Sequence, residues 1–66
     1  MKHIILNGEA TETPCETLQD LVHTLQLEKK RFAIEVNAQI IPKSKLQYVT
    51  IQAQDKIEII QAVGGG

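Results

Sequence analysis

Apolar and polar positions alternate through most of this chain, and in one stretch the period lengthens. Ile4-Ile5-Leu6 form a short apolar run ended by Asn7-Gly8. Asn-Gly is a strong hairpin signal, because a type I′ turn needs positive φ at both central positions. Glu9 to Thr13 then predicts a thin returning strand, stopped by Pro14, which has no amide hydrogen for a ladder. Its threonines favour extended backbone, and its lack of large apolar groups predicts an edge position. From Thr17 the pattern changes. Leu18, Leu21, Val22 and Leu25 fall at i, i+3, i+4 and i+7, which is one face of a helix. Thr17 is the expected N-cap, with Asp20 placed for a capping box. Leu27 breaks the strict pattern and is expected to close over the core. Lys29-Lys30-Arg31 are expected at the helix end that favours cations.

Alternation returns at Phe32, Ile34 and Val36, separated by Ala33 and Glu35, which predicts a strand with one buried face. Asn37-Ala38 predicts a turn, and Ile40-Ile41 a short return closed by Pro42. Residues 43–50 fit either a loop or one helical turn, with Leu46, Val49 and Tyr48 as anchors. Gln52 to Asp55 is a polar turn. Lys56 to Val63 is the last strand, with Ile57, Ile59 and Val63 in one phase and Ile60 and Ala62 in the other. The order is two strands, a helix, then two or three strands. The helix must cover one sheet face, since neither layer buries its apolar side alone. A parallel pairing of the first and last strands would make the helix their crossover. The other sheet face is left to solvent or to a partner.

Length limits what such a chain can do. Its 66 residues allow one small domain, read as residues 1–63 with a tail at 64–66. A chain of this size buries only about 60% of its extended surface. That supports one sheet face and one helix, and points to a carrier, module or inhibitor rather than an enzyme. The net charge of −1 argues against nucleic acid and against an anionic membrane. No run approaches the roughly 18 apolar residues of a membrane span. Met1-Lys2-His3-Ile4 reads as the start of a strand rather than a signal peptide. One cysteine, Cys15, excludes an intramolecular disulfide, so a reduced cytoplasmic setting is expected.

Gly64-Gly65-Gly66 carry the most distinctive chemistry. Glycines lose the most backbone entropy when ordered, so a flexible tail is expected. It would reach up to about 10 Å beyond the strand. Such a tail, ending in a carboxylate, can thread a narrow channel into another enzyme's active site. The alternatives are an idle frayed terminus and a cloning remnant, although the absence of a spacer argues against a tag. A carboxylate is a poor electrophile until it is joined to a good leaving group such as adenylate. A sulfur nucleophile would then yield a thiocarboxylate, and an amine would yield an amide. Glycine has no Cβ to hinder attack at that carbonyl. The chain has no phosphate loop of its own, so a partner must supply the adenylation.

At this point the sequence resembles the sulfur carrier proteins of thiamine (thiazole) biosynthesis. The resemblance runs through Asn7 after the first strand, Thr17-Leu18-x-x-Leu21-Val22 and Val36-Asn37-x-x-Ile40-Ile41-Pro42. It ends in Asp55-x-Ile57-Glu58-Ile59-Ile60-x-Ala62-Val63 and the glycines. It implies an α+β, ubiquitin-like β-grasp fold, with a mixed four- to five-stranded sheet packed on one main helix. It implies that Gly66 carries the adenylate and then the thiocarboxylate, with Gly65 completing the Gly-Gly end and Gly64 tolerable before it. The implied partners are a ubiquitin-activating-like adenylyltransferase, a thiazole synthase with a TIM barrel, and a sulfur donor such as a cysteine desulfurase system. No cofactor is expected to stay bound; ATP-magnesium would be used by the activating enzyme. Where relatives often carry glycine, this chain has Ala38 in the middle turn and Gln54 before Asp55, which bears on turn geometry rather than tail chemistry.

Two related readings share the tail. One is the small sulfur-carrying subunit of molybdopterin synthase, usually longer, and the other is a ubiquitin-like protein modifier. A small structural or inhibitory protein with an idle tail is the reading from a different class. Other reactive residues read as structural or solvated. Cys15 precedes a helix start but has no partner spaced as a catalytic base. His3, His23 and Cys15 lack a zinc spacing. Lys29-Lys30-Arg31 give a small cationic footprint without aromatic platforms. Ile60 and Ala62, with Gly64, are the candidate partner contacts. For Ile60 and Ala62, burial beneath residues 43–50 is the competing expectation.

Overall fold

The structure is a computed structural model that describes residues 1–62. Strand β1 (Lys2–Leu6) turns back into β2 (Glu9–Thr13), and helix α1 (Leu18–Thr24) follows. Strands β3 (Phe32–Val36) and β4 (Gln39–Ile41) form a second hairpin, a 3-10 helix spans Lys43–Tyr48, and β5 (Lys56–Gln61) comes last. Together the strands make one five-stranded sheet in the order β2-β1-β5-β3-β4. β5 sits at its centre, parallel to β1 and antiparallel to β3. The thin β2 lies at one edge, as its composition predicts. This is the β-grasp arrangement implied by the resemblance.

The first turn has the expected geometry, with Asn7 at φ 50° and Gly8 at φ 83°. The second turn matches it without a glycine: Asn37 is at φ 50° and Ala38 at φ 71°. Gln54 likewise takes φ 74°. Both departures from glycine therefore keep left-handed backbone, which costs an L-residue about 1–2 kcal/mol.

Helix α1 begins as its sequence predicts. The Thr17 hydroxyl accepts from the Asp20 amide at 3.2 Å, and the Asp20 carboxylate accepts from the Thr17 amide at 3.1 Å. The helix ends at Thr24, one residue short of the last position in the apolar spacing. Gln26, at φ 59°, reverses the chain; its amide donates to the His23 carbonyl, and the Leu27 amide donates to the Val22 carbonyl. These two bonds make a Schellman closure, in which the apolar residue after the reversal packs back on the helix. Leu27 is therefore buried, and Leu25, expected in the core, is 40% exposed at the C-cap. Lys29-Lys30-Arg31 also fall beyond the helix end, and His23 is the basic residue of the last turn.

The core lies between α1 and one sheet face: Ile4, Leu18, Leu21, Val22, Leu27, Ile34, Ile57 and Ile59, joined by Cys15, Leu46 and Ile51. Within residues 43–50, Leu46 is buried and Val49 half-buried, whereas Tyr48 is 72% exposed and anchors nothing. Ile51, 1% exposed, is fixed by its amide donating to the Glu16 carbonyl at 2.8 Å. A bridge between Thr17 and Thr50 adds to this attachment. The segment thus packs with α1 and leaves the opposite sheet face uncovered.

Candidate functional site

The candidate site is the end of β5, because that strand leads into the glycines. Its backbone groups alternate in direction. The Asn37 amide donates to the Lys56 carbonyl at 2.8 Å, and the Ala62 amide donates to the Arg31 carbonyl at 3.0 Å. These bonds bracket the β3–β5 ladder, so the even-numbered residues of β5 bond toward β3. The odd-numbered residues face β1: the Ile5 amide donates to the Asp55 carbonyl and the Asn7 amide to the Ile57 carbonyl, both at 2.9 Å.

β1 ends before β5 does. Its last register pair is Leu6 with Ile57. Past that point the Asn7 side chain takes the place of backbone, its Oδ1 accepting from the Ile59 amide at 2.8 Å. On the other flank, Asn37 Oδ1 accepts from the Lys56 amide, and its Nδ2 donates to the Asp55 carboxylate, each at 3.0 Å. Two turn asparagines thus hold the central strand. Composition and periodicity missed this role. The available signal was an asparagine opening each left-handed turn, whose short amide side chain can reach a neighbouring backbone.

The outward side chains of β5 are Lys56, Glu58 and Ile60, and Ala62 follows the strand in the same phase. Ile60 is 58% exposed and Ala62 is exposed, so neither lies beneath residues 43–50. Ile60 faces Ala33 across the ladder, and Glu58 faces Glu35. Glu35 in turn faces Ile40, which is 71% exposed and lacked an assigned role in the sequence reading. The face therefore offers two large apolar side chains around an acidic pair. Gly64, Gly65 and Gly66, together with Val63, lie outside the described residues.

The remaining reactive groups sit elsewhere. Cys15 is buried, its Sγ 3.6 Å from the Thr24 hydroxyl oxygen, and its amide donates to the Thr13 hydroxyl at 3.1 Å. His3 is 3.7 Å from Glu12 across the first hairpin. His23 pairs with Glu28, whose hydrogen bond and charge raise the imidazole above its ordinary value. Asp20 is held below its ordinary value, first by the Thr17 amide bond. Among the described residues no cluster of three or more metal-ligating side chains occurs, and no pocket is found. No helix among them is long and apolar enough to cross a membrane.

Comparison with known proteins places this geometry. The ThiS family profile matches residues 4–66. The sulfur carrier protein ThiS of Bacillus subtilis is 44% identical over 63 residues, covering 92% of this chain and 96% of that protein. A thiazole synthase of Paramagnetospirillum magneticum is 33% identical over 64 residues; these span 96% of this chain but only 20% of the synthase. The crystal structure of a thiamine biosynthesis protein (ThiS) from Geobacter metallireducens superposes with a TM-score of 0.79. It covers 97% of this chain and 99% of its own, at 19% identity, and so attests the fold. The near-complete coverage by the family profile and by the Bacillus carrier places this chain in the ThiS family of sulfur carriers of thiamine biosynthesis.

Proposed function

We propose that this chain carries sulfur on the C-terminal carboxylate of Gly66 and donates it for thiazole formation. The observation that carries this reading is the central strand, clamped on both flanks and followed in sequence by the glycines of a family match that runs through residue 66. In the first step a Gly66 carboxylate oxygen attacks the α-phosphorus of ATP on a ubiquitin-activating-like adenylyltransferase. The bond from the α-phosphorus to the bridging oxygen breaks, and pyrophosphate leaves. A sulfide equivalent then attacks the acyl carbon, and AMP departs with the carbon–oxygen electron pair. If the sulfur arrives as a persulfide from a cysteine desulfurase system, a second thiol must cleave the resulting sulfur–sulfur bond. The thiocarboxylate formed is the better nucleophile: its sulfur bonds to a carbonyl carbon of a thiazole precursor on a thiazole synthase, the Gly66 carbon–sulfur bond breaks, and the acyl group takes the displaced carbonyl oxygen and returns to a carboxylate.

The chain acts here as a co-substrate in a reduced cytoplasmic setting, and ATP-magnesium belongs to its partner. The likeness of a thiazole synthase segment to this chain supports that pairing of activities. Gly65 and Gly64 serve as a slender lead to the reacting carbonyl, and Ile60 and Ala62 as docking contacts beside it. An adenylation assay with pyrophosphate exchange tests the reading. Deleting Gly66 should abolish exchange, because the carbonyl is withdrawn by about 3.3 Å, a distance comparable to the whole reacting separation of roughly 3–3.5 Å. Ile60→Asp should weaken binding without unfolding the chain, since an unpaired carboxylate is costly to bury at an interface. Full exchange in the chain lacking Gly66 would refute the proposal.

A further inference from the structure

We infer that the β1-facing edge of β5 beyond Ile59 receives an extended segment of the adenylating enzyme as an added strand. The inference rests on the carrier reading above and extends it to a second contact made by backbone. The register carries the argument. Even-numbered residues of β5 are bonded to β3 as far as Ala62, whose amide donates to the Arg31 carbonyl. Odd-numbered residues face the other way, and their pairing with β1 stops at Ile57. Asn7 satisfies the Ile59 amide and no more. The Ile59 carbonyl, the Gln61 amide and the Gln61 carbonyl then face a lane from which β1 has turned away. Among the described residues none of the three has a backbone partner there.

Such an edge has the donor and acceptor spacing of a strand and is a template for pairing with another chain. Strand addition uses main-chain bonds for affinity and flanking side chains for selectivity. Here Ile60 is the exposed apolar side chain flanking the lane. The occupant is the adenylating enzyme because residues 63–66 continue directly from this edge. An enzyme that holds the Gly66 carboxylate must also line the exit of β5. Its segment would present a carbonyl to the Gln61 amide and an amide to the Ile59 carbonyl. The Asn7 turn limits the lane at its inner end, so the segment can be only a few residues long.

Amide hydrogen exchange by NMR, on the unaltered chain alone and with its cognate adenylyltransferase and ATP, tests this. In the free chain the Gln61 amide should exchange faster than that of Ala62, although Gln61 lies farther from the terminus. On binding, Gln61 exchange should slow by about tenfold or more, the scale of one good hydrogen bond. Gln61→Pro supplies the complementary test. It deletes the outward amide without breaking a β3 bond, and proline favours an extended residue before it. Its melting temperature should hold while affinity falls about tenfold. Unchanged Gln61 exchange in a saturated complex would overturn the inference and leave the carrier reading standing. A free-chain dimer with Gln61 already protected would overturn it in favour of a second copy. Failure of the enzyme to bind the unaltered chain would overturn both.

Discussion

The two flanks of β5 solve the same problem differently. On the β3 side the strand is paired along its whole length, from Val36 with Ile57 to Phe32 with Gln61. On the β1 side there are two register pairs, and then the side chain of Asn7 takes over. Each flank begins with an asparagine in left-handed backbone, but only the first turn follows it with glycine. The long flank supplies rigidity through backbone bonds. The short flank leaves the Ile59 carbonyl and both Gln61 backbone groups without a backbone partner among the described residues. A central strand normally has no free edge; among the described residues this one keeps half of one.

The largest expected effect comes from a change that both flanks share. Leu21 lies in the core beneath the sheet at 3% exposure. Leu21→Ala should cost about 2–5 kcal/mol, enough to threaten so small a domain. A urea midpoint that does not move would contradict the assigned helix face. The next test separates the flanks. Asn7→Ala leaves the part-buried Ile59 amide without its acceptor, and should cost about 1–3 kcal/mol. Asn37→Ala, at exposed bonds that water can replace, should cost about 1 kcal/mol or less. Equal losses would mean that the flanks are not different in kind.

A smaller effect sharpens the contrast between the turns. Ala38→Gly relieves left-handed strain but adds freedom to the unfolded chain, for a net gain of about 0.5–1 kcal/mol. Gly8→Ala should lose a similar amount. Opposite shifts in thermal midpoint are expected for the two variants. The smallest effect lies away from both flanks, at His23. Glu28 raises this imidazole above its ordinary 6.5, first through their hydrogen bond and then through charge. The folded chain therefore holds that proton more tightly than the unfolded chain does. The pair's contribution is fully present below pH 6.5 and fades as pH rises through the higher folded value. Both side chains are solvent-facing, so the effect is small, and Glu28→Gln should flatten it in a pH series of urea titrations.

Local chemistry made much of the fold legible. Asn7-Gly8 announced the hairpin, Thr17 with Asp20 the helix start, and the poor apolar content of Glu9–Thr13 the sheet edge. The residues misplaced or left unplaced have separate causes. Extending the helical period carries Leu25 into the core, but Leu25 is the C-cap, and Leu27 takes the buried place because the chain reverses at Gln26. Nothing in that residue's composition signals left-handed backbone, since glycine is the usual choice there. Ile51 is buried in an irregular segment, and its placement depends on contacts with Glu16 and Thr17, distant in sequence. Tyr48 ends a 3-10 helix whose tighter period turns it outward. At the candidate site, the phase of Ile60 and Ala62 was readable from strand alternation. The unpaired edge was not, because it depends on where β1 stops relative to β5.

Intact-mass analysis of the chain after incubation with its activating enzyme, ATP-magnesium and a sulfur donor tests the central claim most directly. The account predicts that the peptide ending in Gly66 gains the mass difference of one oxygen replaced by one sulfur, and that Cys15→Ser behaves identically. Sulfur found on Cys15, or an unmodified C-terminal peptide from a folded chain incubated with a competent enzyme, would contradict it.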